Sequence, residues 1–143
     1  LGSYPDEEMS QLVNAAANHL AIQPNDVILW FGRHAMPLLA QRYPHFFTAT
    51  STRSFLVSLN SIIHPEVRKV YSGVLVPIFD FHDADDGGLL MGYRSERKLC
   101  ALAQGFSEGA ADYYGEVLDF KHLTCMHHGD DKCLFHISFS KNC

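Results

Sequence analysis

No apolar run in this chain approaches the length of a membrane-crossing helix, and its start has no secretory signal pattern. An excess of one charge is also lacking. Eleven Lys and Arg stand against 16 Asp and Glu, a formal net charge of -5 at pH 7. Mild acidity of this kind gives no footing on nucleic acid or on an anionic membrane surface. There is no glycine-rich phosphate loop, no nucleophile elbow and no helical His-Glu-x-x-His pair. Those absences remove the commonest routes to nucleotide, acyl-transfer and metalloprotease chemistry. Asp83, Asp85 and Asp86 lack the spacing and the closing Glu of a calcium loop, so they read as a solvated turn. Internal repeats, low-complexity stretches and interdomain linkers are missing too.

What remains is a chain of 143 residues, 47% hydrophobic and 12% aromatic. That is an ordinary composition for one globular domain, long enough to bury roughly two thirds of its unfolded surface. Leu1-Gly2-Ser3-Tyr4 has no Met and runs straight into a helix, so the chain is expected to begin inside a longer protein. Cysteine is limited to Cys100, Cys125, Cys133 and Cys143, while histidine reaches nine. Without a secretion signal the compartment is read as cytoplasmic and reducing. There, clustered Cys and His point to metal or redox chemistry before structural disulfides.

The pattern along the chain predicts an α+β domain. Pro5 followed by Asp6-Glu7-Glu8 starts a helix that Leu12, Val13, Ala16, Ala17 and Leu20 continue. A second follows Asn25-Asp26, with Val27, Trp30, Phe31, His34 and Leu38 as its apolar stripe and a kink expected at Pro37. The cap-rich stretch 48–52 leads into an amphipathic helix through Phe55, Leu56, Leu59, Ile62 and Ile63. Pro65 disfavours helical geometry at His64, which predicts a break or kink there. Strands are expected over 74–79 and 89–93 around a turn at 82–88, then a helix over 97–114. A closing hairpin is expected over 117–124 and 133–138, turning at 127–131. The result is N-terminal helices on a small antiparallel sheet of about four strands, with one helix inserted between the hairpins.

Three groups of residues could carry chemistry. His64 follows directly on the apolar face of Leu59, Ile62 and Ile63. It is either a core histidine bonded to a backbone carbonyl or the neutral imidazole that a haem iron requires. Tyr93, Ser95 and Arg97 alternate along a strand end and share a face. Two hydroxyls and a guanidinium suit a carboxylate or a phosphate, unless Arg97 simply pairs with a nearby acid. Cys100, His122, Cys125 and Cys133 offer three thiolates and an imidazole, a set that suits tetrahedral zinc. Buried inert thiols and a Cys125–Cys133 disulfide are the alternatives, and His127 and His128 are rival ligands.

In order, His64, Pro77 thirteen residues later, and Tyr93-x-Ser95-x-Arg97 resemble the haem–nitric oxide/oxygen binding (H-NOX) family over essentially the whole chain. The resemblance implies a haem-binding sensor domain spanning residues 1–143 that is not an enzyme. It implies haem b ligated by His64, distorted by Pro77, with propionates held by Tyr93, Ser95 and Arg97. Leu102 occupies the position where oxygen-binding members carry a distal tyrosine, which favours nitric oxide as the ligand. The cysteine set looks like that of bacterial members with a C-terminal zinc site. Family members begin with helices over the distal face of the haem that precede Leu1, so the domain is expected to be N-terminally incomplete. The implied partner is a histidine kinase or a cyclic-nucleotide signalling enzyme, with neither nucleic acid nor membrane involved. A zinc–thiolate redox module acting without haem is the alternative. A zinc hydrolase fits poorly, because four protein ligands leave no open position and no general base is evident.

Overall fold

In the computed structural model, which describes residues 4–71 and 73–141, the chain opens with two helices. Helix α1 is Asp6–Leu20, with three carboxylates in its first turn that complement the helix dipole. Its end is set by Ala21 in the left-handed region. Helix α2 is Pro24–Arg42, with proline in the first turn where no N–H is needed. It continues past Pro37 to Arg42 without interruption. A 3-10 turn at Pro44–Phe46 follows.

Ser51 then caps α3, Thr52–Val57, through a reciprocal pair of bonds with Ser54. The helix widens into a π turn over Leu59–Ile63 and runs on as α4, His64–Val70. The break expected at His64 is therefore absent. His64 is regular, at φ -63 and ψ -39, and the irregularity lies just before it. Pro65 falls in the first turn of α4, and the wide turn preceding it loosens the ladder that a proline ring would otherwise disrupt.

The sheet comprises β1 (Ile78–Asp83), β2 (Leu89–Arg94), β3 (Glu116–Thr124) and β4 (Cys133–Lys141). All pairings are antiparallel, in the order β1-β2-β4-β3. The first strand was expected over 74–79 and starts at Ile78 instead. Pro77 cannot donate to the ladder, so pairing begins after it, and the turn shrinks to Ala84–Gly88. Helix α5, Cys100–Tyr114, starts three residues later than the expected Arg97. Lys98 adopts a positive φ of 49, and the Leu99 N–H is taken by the Tyr93 hydroxyl at 2.9 Å.

The helices stack in sequence: α1 on α2, α2 on α5, and α5 on the sheet. Leu89, Met91, Tyr93, Cys133, Phe135 and Ile137 form the buried face of β2 and β4. The stripe expected to bury α2 faces outward, with Trp30, Phe31 and Leu38 respectively 59%, 57% and 65% exposed. Gly32, Met36 and Ala40 are the buried residues. Glycine explains the reversal. A Cβ built on Gly105 would lie 2.2 Å from the Leu29 carbonyl oxygen, and one on Gly109 would lie 2.4 Å from that of Arg33. Pro37 deprives that Arg33 carbonyl of its helical donor, and the backbone of α5 packs onto it.

Candidate functional site

One cavity collects side chains from α2, α3, the π turn, α4, β1, β2 and α5. His64, Pro77, Tyr93, Ser95, Arg97 and Leu102 all line it. Residues separated by up to 38 positions thus meet around a single space, whose remaining wall is chiefly Met36, Phe55, Leu56, Phe79, Met91 and Phe106. It is an apolar chamber with one imidazole, and with hydroxyl and guanidinium groups among its lining.

His64 enters this chamber because the π turn and the regular first turn of α4 present it beside β1. Its ring stacks on Phe79 at 5.7 Å between centroids, 29° from parallel. Burial, assisted by the Arg68 charge, pushes its pKa down to about 4. The imidazole is therefore neutral, with lone-pair density for a metal, through the whole physiological range. In the haem-free chain the unfolded His64 takes up a proton near pH 6.5, the folded one only near 4. The unfolded state binds more protons in that window, so stability is complete above it and declines as pH falls through it. Urea midpoints of the haem-free wild type are expected to fall between pH 6.5 and about 4, relative to a His64→Gln chain. Parallel curves would refute this.

Tyr93 is buried, and its hydroxyl oxygen accepts from the Leu99 N–H at 2.9 Å, a bond that does not use its own proton. Ser95 Oγ accepts from the Arg97 N–H at 3.3 Å. The Arg97 guanidinium pairs with Asp6 of α1 at 2.6 Å. The alternative in which Arg97 meets a nearby acid is thus realised. That pairing also demonstrates the chemistry, because a carboxylate already occupies the guanidinium.

The cysteines form a second cluster. Cys100 begins α5, Cys125 follows β3 and Cys133 opens β4, which brings the three sulfurs within 4.8 Å of one another. Cys125 stands 4.0 Å from Cys100 and 3.9 Å from Cys133. Burial and the neighbouring thiols push the Cys100 pKa up to about 12, and burial also raises Cys133. The Cys100 and Cys133 thiols are protonated and pack as apolar groups. His122 does not join them. Its Nε2 is 3.0 Å from Gln104 Oε1, and its ring lies edge-on to Phe135. It lines the cleft beside the thiols, together with His127 and His128, and His127 is bonded to the Lys98 carbonyl at 2.8 Å. Cys143 lies outside the described residues.

A family model described as Haem-NO-binding matches residues 1–122. The chain belongs to that family. A search of curated proteins found no match. Among solved structures, the chain resembles an H-NOX protein from Shewanella oneidensis in the Fe(II)NO ligation state at 28% identity and a TM-score of 0.93. The match covers 98% of this chain and 78% of that one. An unliganded Fe(II) H-NOX protein from K. algicida shares the fold at 23% identity and TM-score 0.88, covering 99% and 77%. A T. Tengcongensis H-NOX mutant does so at 18% identity and TM-score 0.85, with the same coverage. The α+β architecture read from the sequence is that of H-NOX proteins, a family of haem-based gas sensors.

The sequence reading missed two features of this H-NOX chamber. Met36, Met91, Phe79 and Phe106 line it but were indistinguishable from core residues by periodicity. Asp6, the partner of Arg97, lies in the first turn of α1, where an acid has a sufficient local reason to be.

Proposed function

We propose that this chain is a haem-based nitric oxide sensor domain in which His64 ligates the iron of haem b. The observation that carries the reading is the convergence of His64, Pro77, Tyr93, Ser95, Arg97 and Leu102 on one apolar cavity. The donor set fits the group: a neutral imidazole for a soft iron centre, apolar walls for a macrocycle, and hydroxyls with a guanidinium for two carboxylates. When bound, ferrous haem supplies the open coordination position at which nitric oxide is captured.

The chain's own residues do the rest. Arg97, Tyr93 and Ser95 would hold the propionates, for which Arg97 would give up the Asp6 carboxylate. Pro77, which lines the cavity at the entry to β1, would bear on the macrocycle. Leu102 offers no hydrogen-bond donor, which withholds polar stabilisation from oxygen and leaves nitric oxide favoured. His64 would anchor α4 to the group while it ligates, and its release would leave α4 free to shift relative to the sheet. A two-state shift of this kind alters a docked partner; a cytoplasmic histidine kinase or cyclic-nucleotide enzyme is the partner class. The likeness to the S. oneidensis protein supports the ligand assignment. The test is the visible spectrum of the purified protein supplied with haem, before and after nitric oxide. A Soret band that shifts with the gas is expected, and the absence of any band would sink the reading.

A zinc–thiolate site is favoured independently by the three sulfurs within 4.8 Å of one another. Cys100, Cys125 and Cys133 are three ligands, and His122 becomes the fourth if it leaves Gln104. One zinc per chain is expected by metal analysis, with a proton released from each thiol that becomes a thiolate. Cys125→Ser should weaken zinc by more than the roughly 10–100-fold that loss of an outer-shell partner costs. Peroxide should release the metal as the thiolates oxidise. Zinc retained with every thiol oxidised would refute the redox role.

A further inference from the structure

The π turn ahead of His64 holds one residue more than an α turn would, and such a turn persists only where its surroundings fix it. Its wide bonds are seen from Ile63 N to the Ser58 carbonyl at 3.3 Å and from the His64 N–H to the Leu59 carbonyl. Asn60 is its second residue. The Asn60 Nδ2 donates to the Phe79 carbonyl at 2.6 Å, on the edge strand β1. Among the described residues this is the one hydrogen bond that joins Leu59–Val70 to the sheet. Phe79 is the residue whose ring stacks on His64, and it packs in turn on Tyr93 at 5.7 Å. A closed circuit results, from Asn60 through the turn to His64, across the ring stack to Phe79, and back through its carbonyl. Apolar contacts let a helix slide. A single short, directional bond does not.

We propose that Asn60 is a positioning residue for His64, the tie that holds the π turn open and aims the imidazole into the cavity; this rests on the haem-sensing reading above. The tie makes the turn a two-state element. With it made, His64 faces the chamber. With it broken, the turn closes to α geometry and loses its extra residue, and each residue of slip re-faces α4 by about 100°. Release of His64 from a ligand and release of Asn60 from Phe79 are then two halves of one movement.

The experiment compares the purified wild-type chain with Asn60→Ala, Asn60→Asp and Asn60→Gln. The first two cannot donate and the third keeps an amide. Hydrogen exchange in residues 59–64 is expected to accelerate about tenfold in Ala and Asp, the loss of one buried-side hydrogen bond. Exchange in α5 should stay unchanged, and Gln should recover most of the protection. In haem-loaded protein treated with nitric oxide, the spectral change that reports loss of the His64 ligand should be several-fold faster in Ala and Asp. Unchanged exchange in residues 59–64 overturns the proposal. So does faster exchange with unaltered loss of His64, which would make Asn60 a structural residue only. A wild-type chain that takes up no haem overturns the gas-sensing reading by itself, and the exchange measurements then decide the tie alone.

Discussion

His64→Ala is expected to leave the protein folded and unable to hold haem at the concentrations where wild type is saturated. His64 contributes the one imidazole to the cavity lining, so no neighbouring residue of the same chemistry can replace it. Loss of an outer-shell partner alone costs about 10–100-fold in metal affinity, and a direct ligand costs more. A weakening of haem binding by at least about 100-fold is therefore predicted, read by Soret titration. Zinc content should be unaffected, because the thiol cluster draws on α5, β3 and β4 rather than on α4. A His64→Ala chain with wild-type haem affinity and gas response would remove the assignment entirely. The folded state itself should gain at acidic pH, since the substitution removes a group that burial keeps from protonating.

The second large effect is on stability. Gly105→Ala adds an atom 2.2 Å from the Leu29 carbonyl oxygen, which is backbone and cannot rotate aside. Overpacking of this kind costs about 1–3 kcal/mol. Alanine returns about 0.5–1 kcal/mol of helix propensity, so the loss wins. The melting temperature should fall by roughly 2–8 °C for a domain of this size. Gly109→Ala, with its close approach at 2.4 Å, should follow it, and Gly32→Ala, at 3.0 Å, should cost least. The gas site should feel the same change, because α5 carries Leu102, Ala103 and Phe106 into the cavity wall. Equal melting temperatures across the three variants would show that the two helices separate without penalty.

Much of this architecture was legible in the residues. Alternation in Leu89–Tyr93 and Cys133–Ser138 matches the buried face of β2 and β4, because strand alternation reports burial directly. The family resemblance carried by the order of His64, Pro77 and Tyr93-x-Ser95-x-Arg97 implied one shared pocket, and these residues line one cavity. The failures have physical causes. Periodicity counts large apolar residues, so it chose Trp30, Phe31 and Leu38 for the core of α2. The buried side was chosen instead by glycine contacts between backbones. The steric rule for a residue before proline placed a break at His64. A π turn upstream accommodated Pro65, and nothing in the residue types of Leu59–Ile63 distinguishes such a turn from an α turn. His122 is near the thiols in sequence and in space, yet Gln104 holds it. A spacing pattern registers proximity and not a competing side chain eighteen residues away.

The outward stripe of α2 has an optical consequence. Trp30 is the only tryptophan in the chain, it is 59% exposed, and its ring lies 4.5 Å from that of His34. Indole emission shifts to shorter wavelength as water is removed from the ring. The chain therefore carries a single indole fluorophore, on the face opposite the one that packs on α5. Its colour will report, without any label, whatever surface comes to rest on that helix.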